Sequence, residues 1–292
     1  MRLHLVDGTY ELFRAHFSRR PPHRAADGTA LKATVGLVSS LLALLSDAGE
    51  RPTHLAVAFD NPIRSFRNDL FADYKTEAGV PDELLAQFDV AELATRAMGL
   101  AVWSMRDFEA DDALATGAAR FAAEVEQVRI LTPDKDLGQC IRGTHVVQVD
   151  RMRSKMVDEP ALRALRGIGP ESIPDWLALV GDTADGIPGL PGFGEKGAAA
   201  VLAAFVKLEN IPADARSWPD SVRSRDTLAR TLAERRADAL LYRTLATLRT
   251  DAPVDDSLRA LEYRGTPRAA FELFARQVDS PGLLSRVPRW AA

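Results

Sequence analysis

The chain alternates short apolar runs with stretches of helical spacing. Leu3–Val6 is apolar and stops at Asp7-Gly8, as a buried first strand does. His54–Phe59 repeats the pattern and ends at Asp60, and Val128–Leu131 ends in Thr132-Pro133-Asp134. Ala101–Ser104 and Val146–Val149 read as two further strands. Between them, Leu31, Val35, Val38, Leu42 and Leu45 fall on one helical face, with Gly49 as the stop. Asp82–Met98 and Glu109–Val125 also predict helices. Short strands alternating with helices predict an α/β fold whose central, mostly parallel sheet is flanked by helices. Such a sheet places its site outside the carboxyl ends of its strands. Asp7, Asp60 and Asp134 are therefore expected at one edge.

After about residue 157 the strand signals fade. Leu162–Leu165, Asp175–Val180, Lys196–Val206 and Thr227–Leu248 predict helices, and Ile211–Ser224, with Pro212 and Pro219, predicts a connecting loop. Glycine and proline are dense from Gly167 to Gly197. The reading is an α/β core over 1–157 and a helical region over 158–292.

Charge changes this picture only after the acids are sorted. The net formal charge is 37 − 41 = −4. Setting aside nine acids singled out below gives 37 − 32 = +5. An acidic total therefore does not exclude a basic face for nucleic acid. The lone Cys140 excludes an internal disulfide and suits a reducing compartment. Asp7 arrives before any signal-peptide apolar region, and the stretch around Leu37–Leu45 is interrupted by Ser39 and Ser40. A cytoplasmic protein without a membrane partner is expected.

The acids fall into groups: Asp7, Asp60, Glu109-Ala110-Asp111-Asp112, Asp134-Lys135-Asp136 and Asp182-Thr183-Ala184-Asp185. Each alone has an ordinary explanation, since acids at a helix start are favoured by the macrodipole. As a set they point elsewhere. Carboxylates sharing one site repel, so protons or cations must enter. All-oxygen ligands favour hard ions such as Mg²⁺ or Mn²⁺. Two such ions suit in-line displacement at phosphorus. The five histidines show no zinc-ligand spacing.

The segment Ile187–Gly197 fits neither nucleotide-binding glycine motif. Pro188 and Pro191 stand where a strand would precede Gly192-x-Gly194-x-x-Gly197, and Glu195 stands where a phosphate loop needs lysine. It reads as a hairpin before a helix, with Gly189, Gly192, Phe193, Gly194, Lys196 and Gly197 as candidates for a sequence-independent phosphate grip. A plain interhelical turn is the alternative. Arg14, Arg19, Arg20, His23 and Arg24 form one basic run. Arg64, Arg67, Tyr74 and Lys75 form another just past Asp60. On one helix, Arg67 and Tyr74 would share a face, Tyr74 stacking on a base and Lys75 meeting a phosphate.

In order, LVDGTYELFRA, AVAFD, SFRNDLFADYK, FEADDALA, ILTPDKDLGQ, LVGDTADGIPGLPGFGEKGA and LRTD run from about residue 2 to 250. Together they resemble the 5′-nuclease family: the 5′–3′ exonuclease domain of bacterial DNA polymerase I, phage 5′-exonucleases and flap endonucleases. The resemblance implies a PIN-like, metal-dependent nuclease core and a helix–three-turn–helix DNA-binding element near Ile187–Phe205. It implies that Asp7, Asp60, Glu109, Asp111, Asp112, Asp134, Asp136, Asp182 and Asp185 hold two Mg²⁺ or Mn²⁺ ions, some through water. It implies that Arg14, Arg67, Tyr74 and Lys75 engage the reacting strand, and that a monovalent cation (K⁺) assists the glycine hairpin. The implied partner is DNA with a flap, nick or 5′ end, or an RNA primer in a hybrid, handled by a monomeric, free-standing nuclease that leaves 5′-phosphates in replication or repair. Two departures stand out. Ala78 occupies the place of a family arginine, and Gly186 that of an asparagine. A structure-specific DNA-binding module with weak catalysis, or a PIN-type ribonuclease, is the alternative.

Overall fold

The computed structural model describes residues 1–255 and 257–292. In chain order the elements are β1 (Arg2–Asp7), α1 (Gly8–Phe17), α2 (Lys32–Ser46), β2 (His54–Asp60), α3 (Arg67–Leu70), α4 (Asp82–Leu85), α5 (Phe88–Ala97) and β3 (Ala101–Met105). There follow α6 (Ala110–Phe121), β4 (Gln127–Leu131), β5 (Val146–Asp150), β6 (Lys155–Val157), α7 (Glu159–Arg166) and α8 (Ile173–Val180). The last are α9 (Glu195–Phe205), α10 (Arg225–Glu234), α11 (Arg236–Ala246) and α12 (Arg268–Gln277). These elements form two compact units, neither of them one continuous stretch.

The first unit comprises Met1–Arg64, Glu77–Thr132 and Thr250–Ala292. Its strands are all parallel, in the order β3-β2-β1-β4, with Leu5 level with Ala56 on one side and Ile130 on the other. Leu3, Leu5, Val6, Leu55–Phe59, Val128 and Ile130 are all buried. A parallel sheet covered by helices favours such apolar, buried strands. Helix α2 begins at Leu31 without a side-chain cap of its own. The Gln87 side-chain oxygen supplies one, accepting from the Thr34 N–H at 3.0 Å.

The second unit comprises Ser65–Thr76 and Pro133–Arg249. It carries β5 and β6 as an antiparallel pair, with Gln148 level with Val157. Its core gathers Trp176, Leu177, Val201, Leu202, Tyr242 and Leu245, with Tyr74 among them. The end of α11 is capped by side chains. The carbonyls of Leu245 and of Thr247, the residue just past the helix, accept from Arg67 Nε (2.7 Å) and Nη2 (3.2 Å), and the Ala246 carbonyl accepts from Gln139 Nε2 (3.0 Å).

Three expectations change. The helix expected over 82–98 is two helices, α4 and α5. That over 227–248 breaks at Arg235, whose backbone (φ −113°, ψ 27°) is not helical. A strand beyond 150, β6, has no mark in the sequence pattern, because only Val157 of its residues is buried and no alternation shows. Among the described residues, no helix is long and apolar enough to cross a membrane.

Candidate functional site

In the first unit the acids line the carboxyl edge of the parallel sheet. Asp7 ends β1 and caps α1, accepting from the Tyr10 N–H at 2.8 Å. Its other oxygen accepts from the buried Thr132 hydroxyl at 2.9 Å. Asp60 ends β2 and accepts from the Ala110 N–H at 2.6 Å, which ties it to the start of α6. The Thr9 hydroxyl accepts from the Asp60 N–H at 2.8 Å, closing the edge. Glu109 is the N-cap of α6 and Asp111 lies in its first turn, partly exposed. Asp112 is fully buried and turned back, accepting from the Glu109 N–H at 3.0 Å. That bond ties the Asp112 carboxylate to the helix start, as a capping box does. Arg14 is held by the buried Glu11 and by the Ser40 hydroxyl at 3.1 Å. That acid, three residues before Arg14 on α1, fixes the guanidinium.

In the second unit the acids form a tighter cluster. Asp134 is exposed and caps the short turn Lys135–Cys140, accepting from the Asp136 N–H at 2.9 Å. Asp182 and Asp185 come from the loop after α8, where Asp182 and Ile187 exchange backbone hydrogen bonds of 2.8 Å. Asp136, Asp182 and Asp185 each place one carboxylate oxygen within 4.8 Å of the others. Asp136 is only 4% exposed, and its Oδ1 has no hydrogen-bond partner. Burial, reinforced by the charges of Asp134, Asp185 and Asp182, pushes the Asp136 carboxyl well above the usual range, against the pull of Lys135.

Two lysines stand in this cluster. Lys75 Nζ is 3.1 Å from Asp185 Oδ1, and its backbone N–H donates to the Asp185 carbonyl at 3.1 Å. Lys135 Nζ is 2.7 Å from Asp182 Oδ2. Partial burial works against the Lys135 charge, but the Asp182 hydrogen bond and the nearby carboxylates raise its affinity for the proton. Gly186 lets the loop approach: its φ is +75°, and a Cβ there would lie 2.2 Å from the Asp73 carbonyl. An oxygen-only trio with one buried, unpartnered oxygen fits a hard divalent cation.

Two predicted residues lie elsewhere than expected. Arg67 and Tyr74 do not share an exposed helical face, because α3 ends at Leu70 and Phe71 is extended (φ −148°, ψ 114°). Arg67 is 1% exposed and caps α11, while Tyr74 is 3% exposed in the core. Neither is presented at the surface. In the glycine hairpin, Gly189 (φ +71°) is buried against Gly181 and Val180, where a Cβ would meet backbone at 2.5 Å. Phe193 is buried, its ring 6.5 Å from Trp218. Gly192, Gly194 and Lys196 are exposed, Gly197 partly so. Gly194 caps α9 with no side-chain hydrogen bond. In the sequence, the one signal for Lys135 is its place between two acids.

Comparison with known proteins bears on this arrangement. Residues 2–165 match the 5′-3′ exonuclease N-terminal resolvase-like domain, and 168–269 match the 5′-3′ exonuclease C-terminal SAM fold. The chain is 38% identical to DNA polymerase I of Rhizobium leguminosarum, covering 89% of this chain and 26% of that one. With DNA polymerase I of Pseudomonas aeruginosa the identity is 37%, covering 98% and 31%. The chain thus spans between a quarter and a third of those polymerases. A 5′-3′ exonuclease of Streptomyces coelicolor is 33% identical, covering 97% of this chain and 98% of that one. Among solved structures, T5 5′-exonuclease with bound divalent zinc superposes with a TM-score of 0.66 at 17% identity, covering 95% and 98%. The catalytic core of Rad2 in complex with DNA substrate gives 0.63 at 14%, covering 98% and 90%. At such identities these two show the fold alone. Two domain matches in sequence order, and a relative aligned over almost its whole length, place this chain in the 5′-3′ exonuclease family.

Proposed function

We propose that the protein is a divalent-metal-dependent 5′-nuclease that hydrolyses DNA phosphodiesters at 5′ ends or flaps in replication or repair. The observation that carries this reading is the buried, unpartnered Asp136 oxygen beside Asp182 and Asp185, in a chain of this family. Asp7, Asp60, Glu109 and Asp111 of the first unit, and Asp134, Asp136, Asp182 and Asp185 of the second, would hold Mg²⁺ or Mn²⁺, directly or through water. Asp112 supports Glu109 from behind. When bound, two such ions neutralise charge developing on the attacking and leaving oxygens.

In the reaction, water forms the new bond to phosphorus and the bond to the 3′ oxygen breaks. The products are a 3′-hydroxyl and a 5′-phosphate. Lys75 meets the scissile phosphate as a point charge, and Arg14, fixed by Glu11, meets the same strand. The exposed start of α9, with Gly194 and Lys196, grips the duplex backbone as the second half of a helix–three-turn–helix element, assisted by K⁺ at the hairpin. The enzyme acts as a monomer and accepts an RNA primer in the 5′ strand.

Cleavage of a labelled 5′-flap duplex in Mg²⁺ tests the reading. Asp111→Asn and Asp134→Asn are each expected to lower the rate at least about a hundredfold, within the range that loss of charge stabilisation costs. Full activity in both would refute the assignment. Ala78, in place of the family arginine, favours one second reading: a DNA-binding module with feeble turnover. It predicts tight junction binding in Ca²⁺ with no cleavage in Mg²⁺.

A further inference from the structure

The acid cluster of the second unit already contains cations supplied by the chain. Asp136, Asp182 and Asp185 crowd three carboxylates within 4.8 Å. Lys135 Nζ sits 2.7 Å from Asp182, whose side chain is only 7% exposed. Lys75 sits 3.1 Å from Asp185. The Asp136 Oδ1, by contrast, has no hydrogen-bond partner. Lys135 also lies on the turn that carries Asp134 and Asp136, so its charge is fixed to the ligands themselves.

We propose that Lys135 is a resident counter-ion: it holds Asp182 in place while no divalent ion is bound, and its charge sets how tightly such an ion binds. This rests on the metal-dependent reading above. Three carboxylates so close repel one another, and an ammonium among them offsets that repulsion. The same ammonium opposes an incoming dication, whether it stays or is displaced. A single and a double positive charge about 5 Å apart repel, even in water, by enough to weaken binding on the order of tenfold. A lysine suits the task because its compact charge rides on a flexible stem. Its side chain, 32% exposed, has room to swing toward solvent.

The test uses the full chain without DNA. Mn²⁺ binding is titrated by calorimetry, and thermal unfolding is followed in EDTA and in saturating Mn²⁺. Lys135→Met is expected to bind Mn²⁺ about tenfold more tightly than the wild type. It is expected to unfold at a lower temperature in EDTA, with the gap closing in Mn²⁺. Lys135→Arg, which keeps the charge, is expected to stay near wild type in both. Lys135→Gln serves as a second neutral variant should the methionine fail to fold. Unchanged or weaker Mn²⁺ binding in the neutral variants, or unfolding in EDTA at the wild-type temperature, overturns the role of Lys135. A wild-type chain that takes up no Mn²⁺ at all overturns the metal-dependent reading, and the role with it.

Discussion

Replacing Arg67 by methionine separates a structural arginine from one that serves the substrate. Methionine keeps most of the side chain's length and its apolar packing but none of its donors. In the wild type the guanidinium donates to the Leu245 and Thr247 carbonyls at the end of α11 and lies over the Phe66 ring, 4.7 Å from its centroid. The site is 1% exposed, so water cannot replace the donors. Hydrogen bonds from a charged group contribute about 1.5–3 kcal/mol each, and a cation at a helix C-terminus adds up to ~1 kcal/mol. The expected destabilisation of Arg67→Met is therefore about 4 kcal/mol, a large share of a typical domain's stability. Equilibrium urea unfolding reads this as a lower midpoint with little change in slope. Arg67→Lys retains the charge but not the planar fork, and is expected to fall between. DNA affinity per folded molecule should change little. An Arg67→Met protein that unfolds at the wild-type urea concentration, yet fails to bind DNA, would refute the capping role and restore a substrate role.

Two more predictions follow from the acid cluster. In EDTA, folded Asp136 holds its proton above the ordinary value of 3.8, so the folded state binds more protons than the unfolded chain as pH rises from there. Stability contributed at this site is therefore lost with rising pH. Asp136→Asn should remove that part of the slope, and parallel melting-temperature profiles for the two proteins would contradict it. Gly186→Ala must move either its own left-handed backbone or the Asp73 carbonyl, which a Cβ would meet at 2.2 Å. Flap cleavage is expected to fall at least about tenfold, because even small misplacement of catalytic groups is costly. Wild-type cleavage by this variant would show that the approach of the loop to Lys75 is dispensable.

The parts of the fold that the sequence announces are those where one local pattern suffices. The four parallel strands are mostly apolar and buried because helices cover them, and Asp7 and Asp60 close β1 and β2 while Asp134 follows β4. The acids were legible as a set because each lies at a strand end, a helix start or a tight turn. What escaped is non-local. The spacing of Arg67 and Tyr74 fits two helical turns, yet the chain leaves the helix at Phe71 and both side chains turn inward. Arg67 finds its partners 178 and 180 residues away, where no periodicity can reveal them. Gly186 reads as a looser version of a family asparagine, but its backbone angle and the nearby Asp73 carbonyl make it a requirement of this loop. Lys135 was hidden by the acids on either side of it.

The remote cap on α2 bears on how the first unit assembles. A helix start normally satisfies its free N–H groups from the adjoining residues, so the helix can begin to wind alone. Here the acceptor for Thr34 lies 53 residues downstream, at Gln87. Winding of α2 is thereby coupled to closure of a long loop, and the entropy of that closure is spent before the helix gains its full set of bonds. The helix and the turn between α4 and α5 thus belong to one cooperative step of folding, although the whole of β2, α3 and α4 separate them along the chain.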